Sequence, residues 1–352
     1  MASVGKQTAK IVFSGIQPTG VPQLGNYLGT IKNWVTLQQD TNTQRYYSIV
    51  DLHAMTVPRD PQKLQKDTLE MAASLLACGI DPQQSVLFRQ SAVPQHTQLN
   101  WVLATITPMG WLNRMTQWKS KFQQQSGSAD VVNSVHSPVA QGLLTGLFTY
   151  PVLMAADILL FRASHVPVGE DQVQHLELAR DLAMHFNKTF NTDILPMPGY
   201  LLTATKRVMS LRDPLRKMSK SDPNEQARIT LDDTDDWIRK KIKKAPTDAV
   251  PGISFDPKNR PGVSNLLAIY AAIKEIDPEQ AAGEMQMLGN AQMKELVAQA
   301  VVDEVAPIRR RMQKLMADPL YIESVLRSGE EKARAAAEDN WRRIARCVGL
   351  PA

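Results

Sequence analysis

Residues 11–29 read IVFSGIQPTGVPQLGNYLG, and their reading decides the fold. Ile11, Val12 and Phe13 form the short apolar run expected of a fully buried strand. Ser14, Gly15, Pro18, Gly20 and Pro22 then break regular structure. Leu24, Leu28, Ile31, Val35 and Leu37 recur at helical spacing, which predicts a helix beginning near Gln23. A strand, a glycine turn and a helix N-terminus make an anion site. Glycine lets a phosphate approach the backbone, and the first helical N–H groups favour negative charge. The glycine spacing is neither G-x-G-x-x-G nor G-x-x-x-x-G-K-[ST], so neither the dinucleotide fingerprint nor the Walker loop applies. Taken alone, the turn is equally compatible with an ordinary strand–helix connection.

Working outward, residues 46–50 (YYSIV) predict a second buried strand, running into Asp51, Leu52 and His53. Residues 60–79 read as a helix, with Pro61 early, an apolar face of Leu64, Leu69, Ala72, Leu75 and Leu76, and Gly79 as the stop. Residues 85–88 (SVLF) predict a third strand. This alternation argues for a Rossmann-like α/β fold with a parallel sheet and covering helices. Ligands in such folds gather at the carboxyl ends of the strands. That rule brings residues 15–26 and His53 to one crevice.

A distant stretch completes the picture. Residues 216–223 read RKMSKSDP, so Lys217, Met218, Ser219, Lys220 and Ser221 place two ammonium groups and two hydroxyls within one short loop. A mobile pair of cations can follow the charge that builds on a polyphosphate as it is cleaved. A lysine-rich loop is more often a solvated face. Its pairing with the upstream glycine turn is what makes it specific.

The two stretches resemble the paired signatures of class I aminoacyl-tRNA synthetases. Gln23 to Asn26 (QLGN) stands where that family has its HIGH motif, and Lys217 to Ser221 matches KMSKS literally. Within the class the chain is similar to the tryptophanyl-tRNA synthetases, most specifically in GIQPTG, YPVLMAADILL, VPVGEDQ and RVMSL. The first signature departs from the pattern: Gln23 occupies the position usually drawn as His, which leaves its hold on the phosphates open.

The resemblance implies a set of roles. Gln17, Pro18, Thr19, Gly25 and Asn26 would line ATP. Gly169, Glu170 and Asp171 would meet its ribose, and Val208 its adenine. Lys217, Met218, Ser219, Lys220 and Ser221 would close over the phosphates, with Lys217, Lys220, Gln23 and Asn26 as the catalytic set. Lys119 and Lys121 are candidate phosphate contacts, and a solvated basic face is an equal alternative for them. Mg²⁺ would ride on the nucleotide phosphates, with no metal site in the protein. Asp157 sits in an apolar helical run, where a carboxylate is costly unless paired. It would accept the indole N–H of tryptophan, with Met154 packing the ring, and a structural cap or pairing is the alternative for it. Tyr150 and Gln172 would hold the amino and carboxylate groups, with His53 and Phe13 at the pocket edge.

The totals agree with this reading without requiring it. A chain of 352 residues predicts about two domains. Its apolar fraction of 43% and charged fraction of 21% are those of a globular protein. A net charge of +5 mildly favours a polyanionic partner. No uninterrupted apolar run approaches a membrane span. Cys78 and Cys347 offer neither a disulfide framework nor metal-ligand spacing, and both read as reduced core thiols. Residues 122–141 are polar and aperiodic and read as a mobile loop or insertion.

After Pro223 the pattern changes to a basic run at 239–244, then helices over 263–273, 277–288, 291–315, 319–328 and 330–348. The expected division is a catalytic domain over 1–223 and a helical domain over 224–352, whose last helix packs back on the first. The resemblance gives that helical domain the anticodon arm of tRNA(Trp), and it implies a homodimer. An acid-poor N-terminus and the general character of the chain point to the mitochondrial matrix, with a bacterial cytoplasm as the alternative. Two rival functions stand at this point: a tyrosine-activating sibling, and a non-catalytic RNA-binding relative.

Overall fold

The computed structural model describes residues 10–126, 142–169, 173–202, 207–220 and 222–351. In chain order, the elements begin with β1 (Lys10–Ile16), α1 (Leu24–Asn26), a π-helical turn (Tyr27–Ile31), α2 (Lys32–Leu37) and β2 (Thr43–Ile49). Then come α3 (Asp51–Ala54), α4 (Pro61–Cys78), β3 (Val86–Arg89), α5 (Gln95–Ile106), α6 (Met109–Arg114) and α7 (Gln117–Ser126). Next are α8 (Thr145–Leu160), β4 (His165–Val168), α9 (Val173–Thr189) and β5 (Gly199–Leu202). The chain ends in helices: α10 (Asp235–Lys243), α11 (Pro261–Lys274), α12 (Pro278–Glu284), α13 (Asn290–Met316) and α14 (Pro319–Val348).

The five strands form one parallel sheet in the order β3-β2-β1-β4-β5. Strand β1 is central, and its Val12, Phe13 and Ser14 are buried, as a strand covered on both faces must be. From β1 the chain first runs outward to β2 and β3, then returns to the other side of β1 with β4. The crevice between the carboxyl ends of β1 and β4 is therefore the topological switch point.

Local chemistry sets the boundaries. Helix α4 starts where Asp60 accepts the Lys63 backbone N–H at 2.7 Å and Pro61 fixes the first turn. It stops at Gly79, whose φ of 110° is open to glycine. Two apolar cores cover the sheet. One packs Leu24, Leu28, Trp34, Met71 and Leu75 against Leu266, Val301 and Ile308 of the C-terminal helices. The other packs Phe13, Phe88, Leu99, Trp118 and Phe161 against Ala333, Ala337 and Trp341 of α14.

Three expectations need correction. The two helices predicted over 319–328 and 330–348 are the single helix α14, running straight through Gly329. Glycine is needed there for packing, because a Cβ would stand 1.9 Å from the Leu87 carbonyl oxygen of β3. Residues 122–126 belong to α7 and are not loop, while 127–141 lie outside the described residues. Within the basic run at 239–244, Lys241 is buried in an ion pair with Asp233. Cys78 is buried, and burial pushes its thiol up to about 12, whereas Cys347 is only half-buried.

Candidate active site

The glycine turn leaves β1 at Ile16 and reaches Gly20, whose φ of 79° lies in the left-handed region. Gln23 then caps α1: its Oε1 accepts the Gly25 N–H at 2.6 Å, and Asn26 Oδ1 reaches back toward the Gln23 N–H. The other end of the Gln23 amide looks across the crevice, where Nε2 donates to the Met218 carbonyl at 3.2 Å. The first signature is thus tied directly to the second, 195 residues away.

The KMSKS loop is held by a short antiparallel pairing. Met218 N–H donates to the Val208 carbonyl at 3.1 Å, Ser210 N–H to the Arg216 carbonyl at 2.8 Å, and Met209 bridges Lys217. Val208 and Met218 are buried beneath the loop, and Lys217 and Ser219 are exposed on it. Lys220 folds over the glycine turn. Its Nζ donates to the Val21 carbonyl at 2.7 Å, and it lies beside Gly20 together with the acids Asp67 and Glu70 of α4. Burial lowers its ammonium to about 8, against the opposing pull of Asp67 and Glu70. A cavity of about 610 Å³ opens here, lined by Thr19, Gly20, Lys220, Thr230 and Trp237 among others.

Two supports escape sequence reasoning. Asn265 of α11 clamps the Met209 backbone from both sides, accepting its N–H at 2.9 Å and donating to its carbonyl at 3.0 Å. The only signal was one buried amide in an apolar helical run. Residues 229–231 close the floor of the turn: Leu24 N–H donates to the Ile229 carbonyl and Leu231 N–H to the Pro22 carbonyl.

The second cluster lies under the sheet ends, around α8. Asp157 is buried at 2% exposure, and its oxygens meet three side chains. His53 Nε2, from α3 after β2, is 2.8 Å from Oδ2. The Gln90 amide, from the turn after β3, donates to both oxygens at 2.8 and 2.9 Å. His96 Nδ1 of α5 stands 2.6 Å from Oδ1 in an off-axis contact. Burial pushes this carboxyl up, but the two imidazoles, His96 foremost, outweigh it and hold the group down to about 2. Gln90 and His96 carried no sequence signal, because their meeting with Asp157 depends on where β3 and α5 end.

Two turns earlier on α8, the buried Tyr150 hydroxyl meets Gln117 Oε1 at 3.0 Å and His175 Nε2 at 2.9 Å. Met154 is half-buried, and Phe13 stacks on Phe161 at 5.6 Å. The two candidate lysines of α7 differ in setting. Lys121 lies 4.7 Å above the Tyr150 ring, and burial lowers its ammonium. Lys119 lies 5.7 Å from the Trp118 ring. Gly169 follows β4 at the switch point, while Glu170, Asp171, Gln172 and Ser221 lie outside the described residues.

Known proteins are similar to this chain over nearly its whole length. The family model described as tRNA synthetases class I (W and Y) matches residues 6–306. A tryptophan–tRNA ligase of Rickettsia conorii is 45% identical over 97% of this chain and 99% of its own. A mitochondrial tryptophan–tRNA ligase of Schizosaccharomyces pombe is 42% identical over 99% of both. The crystal structure of tryptophanyl-tRNA synthetase from Campylobacter jejuni, complexed with ADP and tryptophan, superposes with a TM-score of 0.76 at 33% identity, over 97% of this chain and 100% of that one. By the family match over residues 6–306 and these near-full-length likenesses, the chain belongs to the class I tRNA synthetases of tryptophan and tyrosine, on the tryptophan–tRNA ligase branch.

Proposed function

We infer that this protein joins L-tryptophan to tRNA(Trp): the tryptophan carboxylate attacks the α-phosphorus of ATP, pyrophosphate leaves, and a ribose hydroxyl at the tRNA 3′ end attacks the activated carbonyl. The observation that carries this is the contact between the two signatures, through Gln23 on Met218 and Lys220 on the glycine turn. Positioning and charge stabilisation supply the rate, with no side-chain nucleophile. Gln17, Pro18, Thr19, Gly25 and Asn26 line the nucleotide. Gly169, Glu170 and Asp171 hold the ribose. Val208 meets the adenine once the KMSKS loop lifts from it, and the same motion releases product. Lys217 and Lys220 draw the negative charge of the leaving pyrophosphate, with Lys119 and Lys121 as further phosphate contacts. Mg²⁺ would be carried by the phosphates and would neutralise their oxygens.

Asp157 accepts the indole N–H, Met154 and Phe13 pack the ring, and Tyr150, Gln172 and His53 surround the amino-acid end. Because Asp157 already holds three partners, the ring gains access only as His53 shifts aside. The decisive test is ATP–pyrophosphate exchange with tryptophan, tyrosine or no amino acid. Exchange driven by tyrosine would favour the sibling reading. In Lys217→Ala with Lys220→Ala, exchange should fall at least a hundredfold while tryptophan binding survives, and unchanged exchange would sink the assigned role.

Residues 1–223 form the activating part and 224–352 the anticodon-binding part, where Lys and Arg meet phosphates in a salt-dependent manner. The protein is a homodimer. Trp101 on α5 and Met109 on α6 support this, being 71% and 62% exposed in the single chain. Light scattering at the mass of one chain would exclude it. The compartment reading is the mitochondrial matrix, supported by the 42% identical mitochondrial relative. The 45% identical rickettsial enzyme favours a bacterial cytoplasm instead. Import into isolated mitochondria separates the two.

A further inference from the structure

The carboxylate that selects the amino acid cannot orient itself. The χ2 rotor of an Asp is broad and roughly two-fold, so an acid on a helix offers its oxygens over a wide range of directions. Asp157 is fixed from outside. The Gln90 amide spans both oxygens at 2.8 and 2.9 Å, which sets the plane of the group. His96 closes on Oδ1 at 2.6 Å, and its ring is itself boxed by Phe88 at 6.0 Å, Phe161 at 5.5 Å and Phe13 at 6.5 Å. Both residues are wholly buried, whereas His53, on the Oδ2 side, is 7% exposed. The Oδ1 side is therefore sealed by fixed groups, and the less enclosed side is that of Oδ2.

We propose that Gln90 and His96 are positioning residues for amino-acid selection, holding Asp157 so that Oδ2 is the oxygen that meets the ring N–H of the substrate. This rests on the reading of Asp157 as the indole acceptor. A second observation supports it. Gln90 Oε1 and both ring nitrogens of His96 are buried without hydrogen-bond partners, Nδ1 meeting Asp157 only in its off-axis charge contact. Buried orphan polar atoms cost stability. Apolar residues of the same shape would serve the core better, so these two are kept for what they do to Asp157.

The test is ATP–pyrophosphate exchange by the full chain with two substrates. One is tryptophan. The other is β-(benzothiophen-3-yl)alanine, which has nearly the same ring shape with sulfur in place of N–H. The readout is the ratio of their kcat/KM values, which a merely structural defect lowers for both alike. Gln90→Met and His96→Leu are expected to reduce the ratio about tenfold, with kcat for the sulfur analogue little changed. His96→Asn, which keeps a donor where Nδ1 stood, should restore it. An unchanged ratio overturns the inference, as does an equal loss for both substrates, including complete loss. Asp157→Asn separates the two levels: if that variant keeps the wild-type ratio, the reading of Asp157 itself fails. If Asp157→Asn loses the ratio and the Gln90 and His96 variants do not, only the positioning role fails.

Discussion

Lys220 shows how one side chain is tuned by its neighbours. Its Nζ is partly enclosed between the glycine turn and α4, and burial brings it down to about 8 from an ordinary 10.5. The ammonium is the form that meets a phosphate. Since kcat/KM reports the free enzyme, its value for ATP should fall as pH rises through about 8. Lys220→Arg stays charged and should lose that limb. A wild-type profile flat to pH 9 would refute this role. The Lys220 contribution to stability cannot mimic the effect. Between about 8 and 10.5 the unfolded lysine binds more protons than the folded one, so this group's contribution to stability rises with pH there. Lysines 217 and 220 were legible in the sequence as a motif. Their different settings were not, because the carbonyl and acids around Lys220 come from segments some 150–200 residues away.

At the scale of elements, α14 is the clearest case of packing overriding local propensity. A glycine in mid-helix reads as a break, and replacing it with Ala ordinarily stabilises a helix by about 1 kcal/mol. Gly329→Ala should do the reverse. Its Cβ would stand 1.9 Å from a carbonyl oxygen of β3 that cannot retreat without disturbing the sheet. A loss of about 3 kcal/mol or more is expected in urea unfolding. Gly283→Ala on α12 is the control, since nothing lies within 4 Å of its added methyl, and it should be neutral or mildly stabilising. Equal effects at the two sites would show that the close approach is unimportant. The strands behave differently. Ile11 to Phe13, residues 46–50 and 85–88 were readable because each is a short, largely apolar run bounded by turn formers, as burial on both faces of a strand demands.

Across the whole molecule, both cores draw on both ends of the chain. Helix α14 supplies Ala333, Ala337, Trp341 and Ile344 to the core beneath β1 and β3. Its Glu330 and Glu323 pair with Arg89 at the end of β3, with Glu330 Oε1 at 2.5 Å from Nε. Truncation after Asp318 should therefore damage the sheet half as well as remove a helix. The expected signs are lost near-UV circular dichroism and dye binding to exposed apolar surface. A truncated chain with native tryptophan-driven exchange would contradict this.

The sequence alone determined the parallel α/β framework, the glycine turn after β1, the KMSKS loop and the costly carboxylate at Asp157. Each is a local pattern whose chemistry shows within a few residues of itself. Tertiary structure alone decided which residues complete those patterns: Gln90 and His96 around Asp157, Asn265 behind Val208 and Met209, and Asp67 and Glu70 beside Lys220. The reason is geometric. A side chain's partner across a switch point depends on where distant strands end and how their covering helices pack, and spacing along one chain does not encode that distance.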